Sequence, residues 1–261
     1  MSPEARGGAG SETRWNFSVL WVLVGILVLL VLWEIASLLV KSGILLPGPL
    51  PVLRKLLDLV VTRRFLLALG NSFWRVTLGI LISAPLGIIA GTAAGLNRAA
   101  GALLRPLFQV ISTTPVMSVI LIAFLWFGQD RTPVFTAFLM VFPVMAANTL
   151  AGIRAIDRGL VELFDVYRLS RRERILSLYL PGIAPFVLGG LRSGLSLCWK
   201  VVVAAEVLIQ PRRALGTGMQ NAKAQLETAE LLAWTAATVC AAALSSFFLG
   251  MILKRLKRRS P

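Results

Sequence analysis

Histidine is absent from the 261 residues, and cysteine occurs only twice, at Cys198 and Cys240. The first absence removes Ser-His-Asp triads, Cys-His pairs and histidine metal sites. The second leaves too few thiols for a zinc cluster or a disulfide framework. Both cysteines lie inside apolar runs, where a small buried hydrophobe is the ordinary reading. Acids are also scarce, with 12 Asp+Glu against 27 Lys+Arg and a formal net charge of +15. Charged residues make up 15% of the chain, against about 25% in soluble domains. No G-x-x-x-x-G-K-[ST] sequence is present, so the chain has no P-loop to cradle nucleotide phosphates.

What fills the chain instead is apolar. The residues AVILMFWYC account for 57%. Counting glycine and omitting tyrosine gives about 65%, where soluble proteins have about 45–50%. Six stretches reach the roughly 20 residues needed to cross a bilayer, or come close to it. They fall within 17–40, 65–96, 103–127, 133–150, 182–209 and 229–253. The first is too long for a signal-peptide core and has no A-x-A-like cleavage site after it. No strand-like alternation of a membrane barrel occurs. The expected fold is all-α, a polytopic membrane protein of six transmembrane helices. Residues 1–16 form a cytoplasmic tail, 17–253 the membrane domain and 254–261 a basic cytoplasmic tail.

The positive charge lies between the spans rather than on one nucleic-acid-binding face, and no nucleic-acid partner is expected. The side holding the termini, with the loops after the second and fourth spans, carries 15 bases and the opposite side nine. That excess places both termini in the cytoplasm, in a multi-pass protein of the bacterial inner membrane. After the first span, Pro47-Gly48-Pro49-Leu50-Pro51 stops the helix. Residues 52–64 then have the spacing of an amphipathic interfacial helix. In the second span Gly79, Ser83, Gly87, Gly91 and Gly95 recur every fourth residue. Such a stripe lets two helix backbones approach closely in lipid. Its partner helix lies either in this chain or in a second copy.

The charged stretch at about 154–181 is unlike a linker. Glu162 to Tyr167 predicts a short helix, and Ser170 with Glu173 matches a capping box that starts a second one. Arg171, Arg172 and Arg174 would face outward, Ile175 and Leu178 would share a face, and Pro181 would reset the chain before the next span. This is either a docking knob or a solvated positive loop.

The segment resembles the cytoplasmic EAA loop of bacterial ABC-importer permeases, E-A-A-x3-G-x9-I-x-L-P. Glu162 and the closing Leu180-Pro181 match in register. Leu163 and Phe164 stand for the alanines, Arg168 for the glycine and Leu178 for the isoleucine. Replacing glycine with Arg168 removes the residue that makes the turn cheaply. Further matches are similar to the nitrate/sulfonate/taurine-type branch. They are Leu46-Pro47-Gly48-Pro49, Leu125-Trp126-Phe127-Gly128, Gly190-Leu191-Arg192, Trp199 and Val203-Ala204-Ala205-Glu206-Val207-Leu208.

The resemblance implies a type I permease with a coupling-helix loop and no cofactor of its own. It implies a dimer, most simply of two copies, docked on an ATPase dimer that holds ATP and magnesium. A binding protein or lipoprotein would deliver the solute outside. Relatives of this branch carry sulfonate-, nitrate- or taurine-like anions, or vitamin- and thiamine-precursor-like molecules.

Polar residues inside spans are candidates for the solute route. Arg192, Trp199 and Glu206 are seven apart on one helical face, with Ser196 beside them. Arg75 in the second span is similar and would suit an anion. Each also has a structural reading: Glu206 paired with a base such as Arg212, Arg192 reaching back to the surface. An intramembrane protease lacks its catalytic groups here, since Glu34 and Glu206 form no obvious dyad. An ATP-independent secondary transporter or channel is the alternative, although no inverted repeat is visible.

Overall fold

The computed structural model describes residues 9–257, and those residues are almost entirely helical. Helix α1 is Ala9–Val40, α2 Pro49–Val60, α3 Arg63–Leu96, α4 Arg98–Thr113 and α5 Val116–Arg154. Then come α6 Arg158–Val166, α7 Arg171–Arg174, a π turn Ile175–Tyr179, α8 Leu180–Ile209, α9 Leu215–Ala224 and α10 Thr228–Lys257. Five long helical segments among these residues are apolar enough to cross a membrane. Residues 9–16 and 254–257, expected as tails, are helical; 1–8 and 258–261 lie outside the described residues.

The difference between five segments and six expected spans lies in α5. Gly128 interrupts it with φ 70° and ψ −174°, a backbone conformation that favours glycine. The chain reverses there. The rings of Phe127 and Phe135 are 4.6 Å apart, and those of Phe108 and Phe142 are 5.5 Å apart. A straight helix would separate residues 108 and 142 by about 50 Å. The expected third span is therefore α4 followed by residues 116–127, broken at Thr114-Pro115. Residues 129–154 return antiparallel as the fourth.

Helices α3, α5 and α8 form the core. The small-residue stripe of α3 faces α5 of the same chain. A side chain at Gly87 would strike Met145, one at Gly91 would strike the Ala146 carbonyl, and one at Gly95 would sit 2.7 Å from Ile153. Ser83 is fully buried in the same seam and donates to the Gly79 carbonyl at 2.6 Å. Close backbone approach, which needs these small residues, is what sets α3 against α5.

The remaining helices frame this core. Pro51 and Pro49 open α2, which buries Val52 and Leu59 and runs as the amphipathic segment its spacing predicts. Trp33 Nε1 donates to the Pro47 carbonyl at 3.0 Å and Ser37 Oγ to the Leu46 carbonyl at 2.8 Å, fixing the end of α1 to the proline-rich connector. Lys55 and Glu227 pair at 3.0 Å between α2 and the start of α10. The lipid-exposed faces of α1 and α10 carry large apolar side chains, among them Leu29, Leu39, Val239 and Phe247.

Candidate functional site

Three polar features stand out in this apolar scaffold. The first is a buried cluster. Glu206 on α8 is fully buried, and its carboxylate meets Arg75 Nη1 of α3 at 2.9 Å. Ser72 Oγ donates to it at 2.8 Å and accepts the Leu215 N–H at 3.0 Å. The Gly216 N–H donates to the same carboxylate at 3.2 Å. Leu215 and Gly216 open α9, so its otherwise unsatisfied first amides are taken up, one by the Ser72 hydroxyl and one by the carboxylate. The partner of Glu206 is therefore Arg75, not the Arg212 considered from sequence. The carboxylate sits behind the protein surface rather than on an open wall.

The outer edge of Arg75 reaches a cavity of about 630 Å³ between α3 and the Gly128 turn. Arg75 Nη2 touches Asp130, itself largely exposed, at 3.4 Å. Asn71 and Arg131 share that polar end, and Trp74, Phe127, Phe135 and Phe138 line the rest. Gln129 Nε2 donates to the Ile209 carbonyl at 3.2 Å, tying the turn to the end of α8.

The second feature is a face of α8. Pro185, Gly189, Arg192, Ser196 and Lys200 are all exposed and fall on one side of the helix, with Ser193 beside them. Arg192 lies about 18 Å along α8 from Leu180, and Lys200 about 14 Å before Ile209. Both are thus deep in a hydrocarbon core of about 30 Å. Neither has an ion pair or side-chain hydrogen bond among the described residues, and the Arg192 guanidinium runs alongside Gly250 of α10. Trp199, predicted to share this face, is buried at 2% exposure against Phe73. Its Nε1 has no hydrogen-bond partner among the described residues. The seven-residue repeat drifts by about 20° per step, and the outer part of α8 is covered by α9. Sequence reasoning missed Lys200, although its spacing of four from Ser196 and eight from Arg192 was readable.

The third feature is the loop between α5 and α8. Asp157 caps α6 by accepting the Gly159 N–H at 2.8 Å, so α6 begins before Glu162. The chain then turns at Arg168, whose φ is 49°. The turn that the glycine would ease is kept with arginine in the left-handed region, at about 1–2 kcal/mol. The capping box forms as the spacing predicts. Ser170 donates to Glu173 through its N–H at 2.8 Å and its Oγ at 2.6 Å, and Ser170 Oγ accepts the Glu173 N–H at 3.3 Å. Arg174 pairs with Asp165 and donates to the Phe164 carbonyl, fastening one arm to the other.

Two details differ from expectation. Pro181 does not reset the chain. It lies directly after the π turn, whose wider hydrogen bonding joins α7 to α8 without a break. The same turn separates the predicted face, so that Leu178 is buried and Ile175 exposed. Glu162, Leu163, Val166 and Tyr167 are exposed, the last two at 78% and 70%. Leu163, Val166 and Tyr167 thus leave an exposed apolar patch on a charged loop.

Against this geometry the comparisons are decisive. Residues 83–260 match the family described as the binding-protein-dependent transport system inner membrane component. The chain belongs to that family. It is 32% identical to the taurine transport system permease protein TauC of Escherichia coli (strain K12), covering 94% of this chain and 91% of that one. It is 31% identical to the bicarbonate transport system permease protein CmpB of Synechococcus elongatus, covering 82% and 81%. Its fold is that of a chain from a bacterial ABC transporter involved in import of the acidic polysaccharide alginate. There the TM-score is 0.63 at 15% identity, with 94% and 99% covered.

This membrane protein is thus the permease component of an ABC importer. It works with a separate ATPase and a solute-binding protein, and the channel and secondary-transporter readings are set aside.

Two predictions follow from the buried cluster and the loop. Glu206→Gln leaves Arg75 buried without its partner, a change that costs about 3–5 kcal/mol for a buried pair. The unfolding midpoint in detergent should fall, and the double change Arg75→Leu with Glu206→Leu should recover part of the loss. In the loop, the Ser170 hydrogen bonds hold the Glu173 carboxyl below its ordinary value. The cap is therefore fully present above the ordinary carboxylate pKa and is lost as pH falls through the lowered one. Hydrogen exchange of residues 170–174, corrected for intrinsic rates, should accelerate in that acid window. Glu173→Gln should flatten the pH dependence.

Proposed function

We propose that two copies of this chain form the pathway of an importer for a small organic or inorganic anion. The exposed α8 face of Arg192, Ser193, Ser196 and Lys200 lines that pathway. The observation that carries the reading is the pair of unpaired cations at mid-span. Lipid does not tolerate such a face, and intramembrane charges turn to a partner or to water. No large apolar side chain interrupts it, in contrast to the exposed faces of α1 and α10. Cations without counter-ions favour an anionic solute. The relatives named for taurine and bicarbonate are consistent with that sign.

The loop over 154–181 is the ATPase contact, on the cytoplasmic side together with both termini. Leu163, Val166 and Tyr167 supply its apolar surface, and the Arg168 turn and the Ser170–Glu173 cap hold its shape. Glu162 and Phe164 stand on the same short helix. Because α7 passes through the π turn into α8 without interruption, movement of the loop carries the α8 face with it. ATP binding shifts the equilibrium between inward and outward access only insofar as the loop contacts differ in energy between the two states. Arg75 and Glu206 hold the outer part of the bundle rather than contact solute.

The test is reconstitution of the chain with its ATPase and binding protein, using labelled taurine, alkanesulfonate, nitrate and bicarbonate as probes. Lys200→Glu should lower anion uptake about tenfold or more, while the ATPase still co-purifies. Leu163→Asp with Tyr167→Asp should abolish co-purification. Undiminished uptake by Lys200→Glu would overturn the pathway assignment. Uptake by the chain without any ATPase would overturn the importer reading.

A further inference from the structure

A cavity of about 530 Å³ lies at the joint between the loop and the membrane helices. It is bounded by the end of α3, the end of α5, the first turns of α6 and the π turn. Arg154 and Arg158 stand on its walls, and the half-buried Tyr179 faces them. Neither arginine has an ion pair or hydrogen bond among the described residues. Asp157, between them in sequence, is engaged with the Gly159 N–H, and Glu162, one turn beyond Arg158, pairs with neither. The rest of the wall is apolar, with Leu96, Ile153 and Val161. Leu96 is 53% exposed and forms an open apolar edge at the end of the membrane helix α3.

This combination fits one chemistry. Two guanidinium groups present planar forks of donors suited to phosphate oxygens. A phenol adds a further donor, and the apolar edge receives a hydrocarbon chain. Basic pockets between membrane helices at the cytoplasmic surface take anionic headgroups. We propose that Arg154, Arg158 and Tyr179 form a binding site for the phosphate of an anionic phospholipid, seated where α6 meets the ends of α3 and α5. The site is independent of the α8 face and of the solute. A headgroup there braces the loop against the bundle and neutralises two adjacent cations that otherwise repel each other.

The same phosphate chemistry is offered by free phosphate, so the experiment separates the two sources. The purified chain is released from detergent in native mass spectrometry after exchange with phosphatidylglycerol or with phosphatidylcholine. Wild type should retain phosphatidylglycerol several-fold over phosphatidylcholine. Arg154→Gln with Arg158→Gln should abolish the preference while leaving the unfolding midpoint in lipid-free detergent unchanged. Tyr179→Phe should weaken it without changing the fold. Equal retention of the two lipids, or a preference that survives the double change, overturns the proposal. If the double variant does not fold, Tyr179→Phe decides: unchanged retention overturns. Excess inorganic phosphate that leaves the lipid in place assigns the site to a lipid. Displacement of the lipid by phosphate keeps the phosphate chemistry and overturns the lipid source.

Discussion

A single carboxylate holds three elements of this fold in register. Glu206 takes hydrogen bonds from Ser72, from Arg75 and from the first turn of α9. In a bilayer no water replaces a lost partner, so each of these polar groups needs the others. Removing one charge strands the other. The cluster therefore fixes where α3 crosses α8 and where α9 folds back over the outer end of the bundle. The close seam between α3 and α5 fixes the other half, and together they leave one side of α8 uncovered. That uncovered side carries the two unpaired cations.

The same helix carries the consequences toward the loop. From Arg171 to Ile209 the chain is helical throughout, with one π turn near the membrane surface. The apolar tip at Val166 and Tyr167 is fastened to this helix by Arg174, through Asp165 and the Phe164 carbonyl. A partner that grips the tip thus holds a lever whose far part is the cationic face. Under the proposed function, such an arrangement couples a soluble motor to a membrane pathway without any chemistry in the permease itself. The absence of a P-loop fits this division of labour, in which a separate subunit hydrolyses ATP.

Much of this was legible in the sequence because hydropathy and spacing are local. The spans, the proline-rich connector, the amphipathic α2, the capping box at Ser170 and the small-residue stripe all declare themselves within one or two turns of helix. Two things did not. The partner of Glu206 stands 131 residues away at Arg75, and local pattern favoured the nearer Arg212. The continuity through Pro181 depended on a π turn, which leaves no compositional mark. Lys200 belongs to a different class. Its spacing from Arg192 and Ser196 was available, but two of the residues grouped with them, Trp199 and Glu206, turned out to point inward.

The α8 face is the claim on which transport depends, and solvent access to it is directly measurable. In a chain with Cys198→Ala and Cys240→Ser, single cysteines at Ser196→Cys and Phe247→Cys are exposed in membranes to a charged thiol reagent that does not enter lipid. The account predicts rapid labelling at position 196 and none at position 247, which lies on the apolar face of α10. A Ser196→Cys chain that stays unlabelled while its ATPase remains bound and active, or labelling equal to that at position 247, would contradict it.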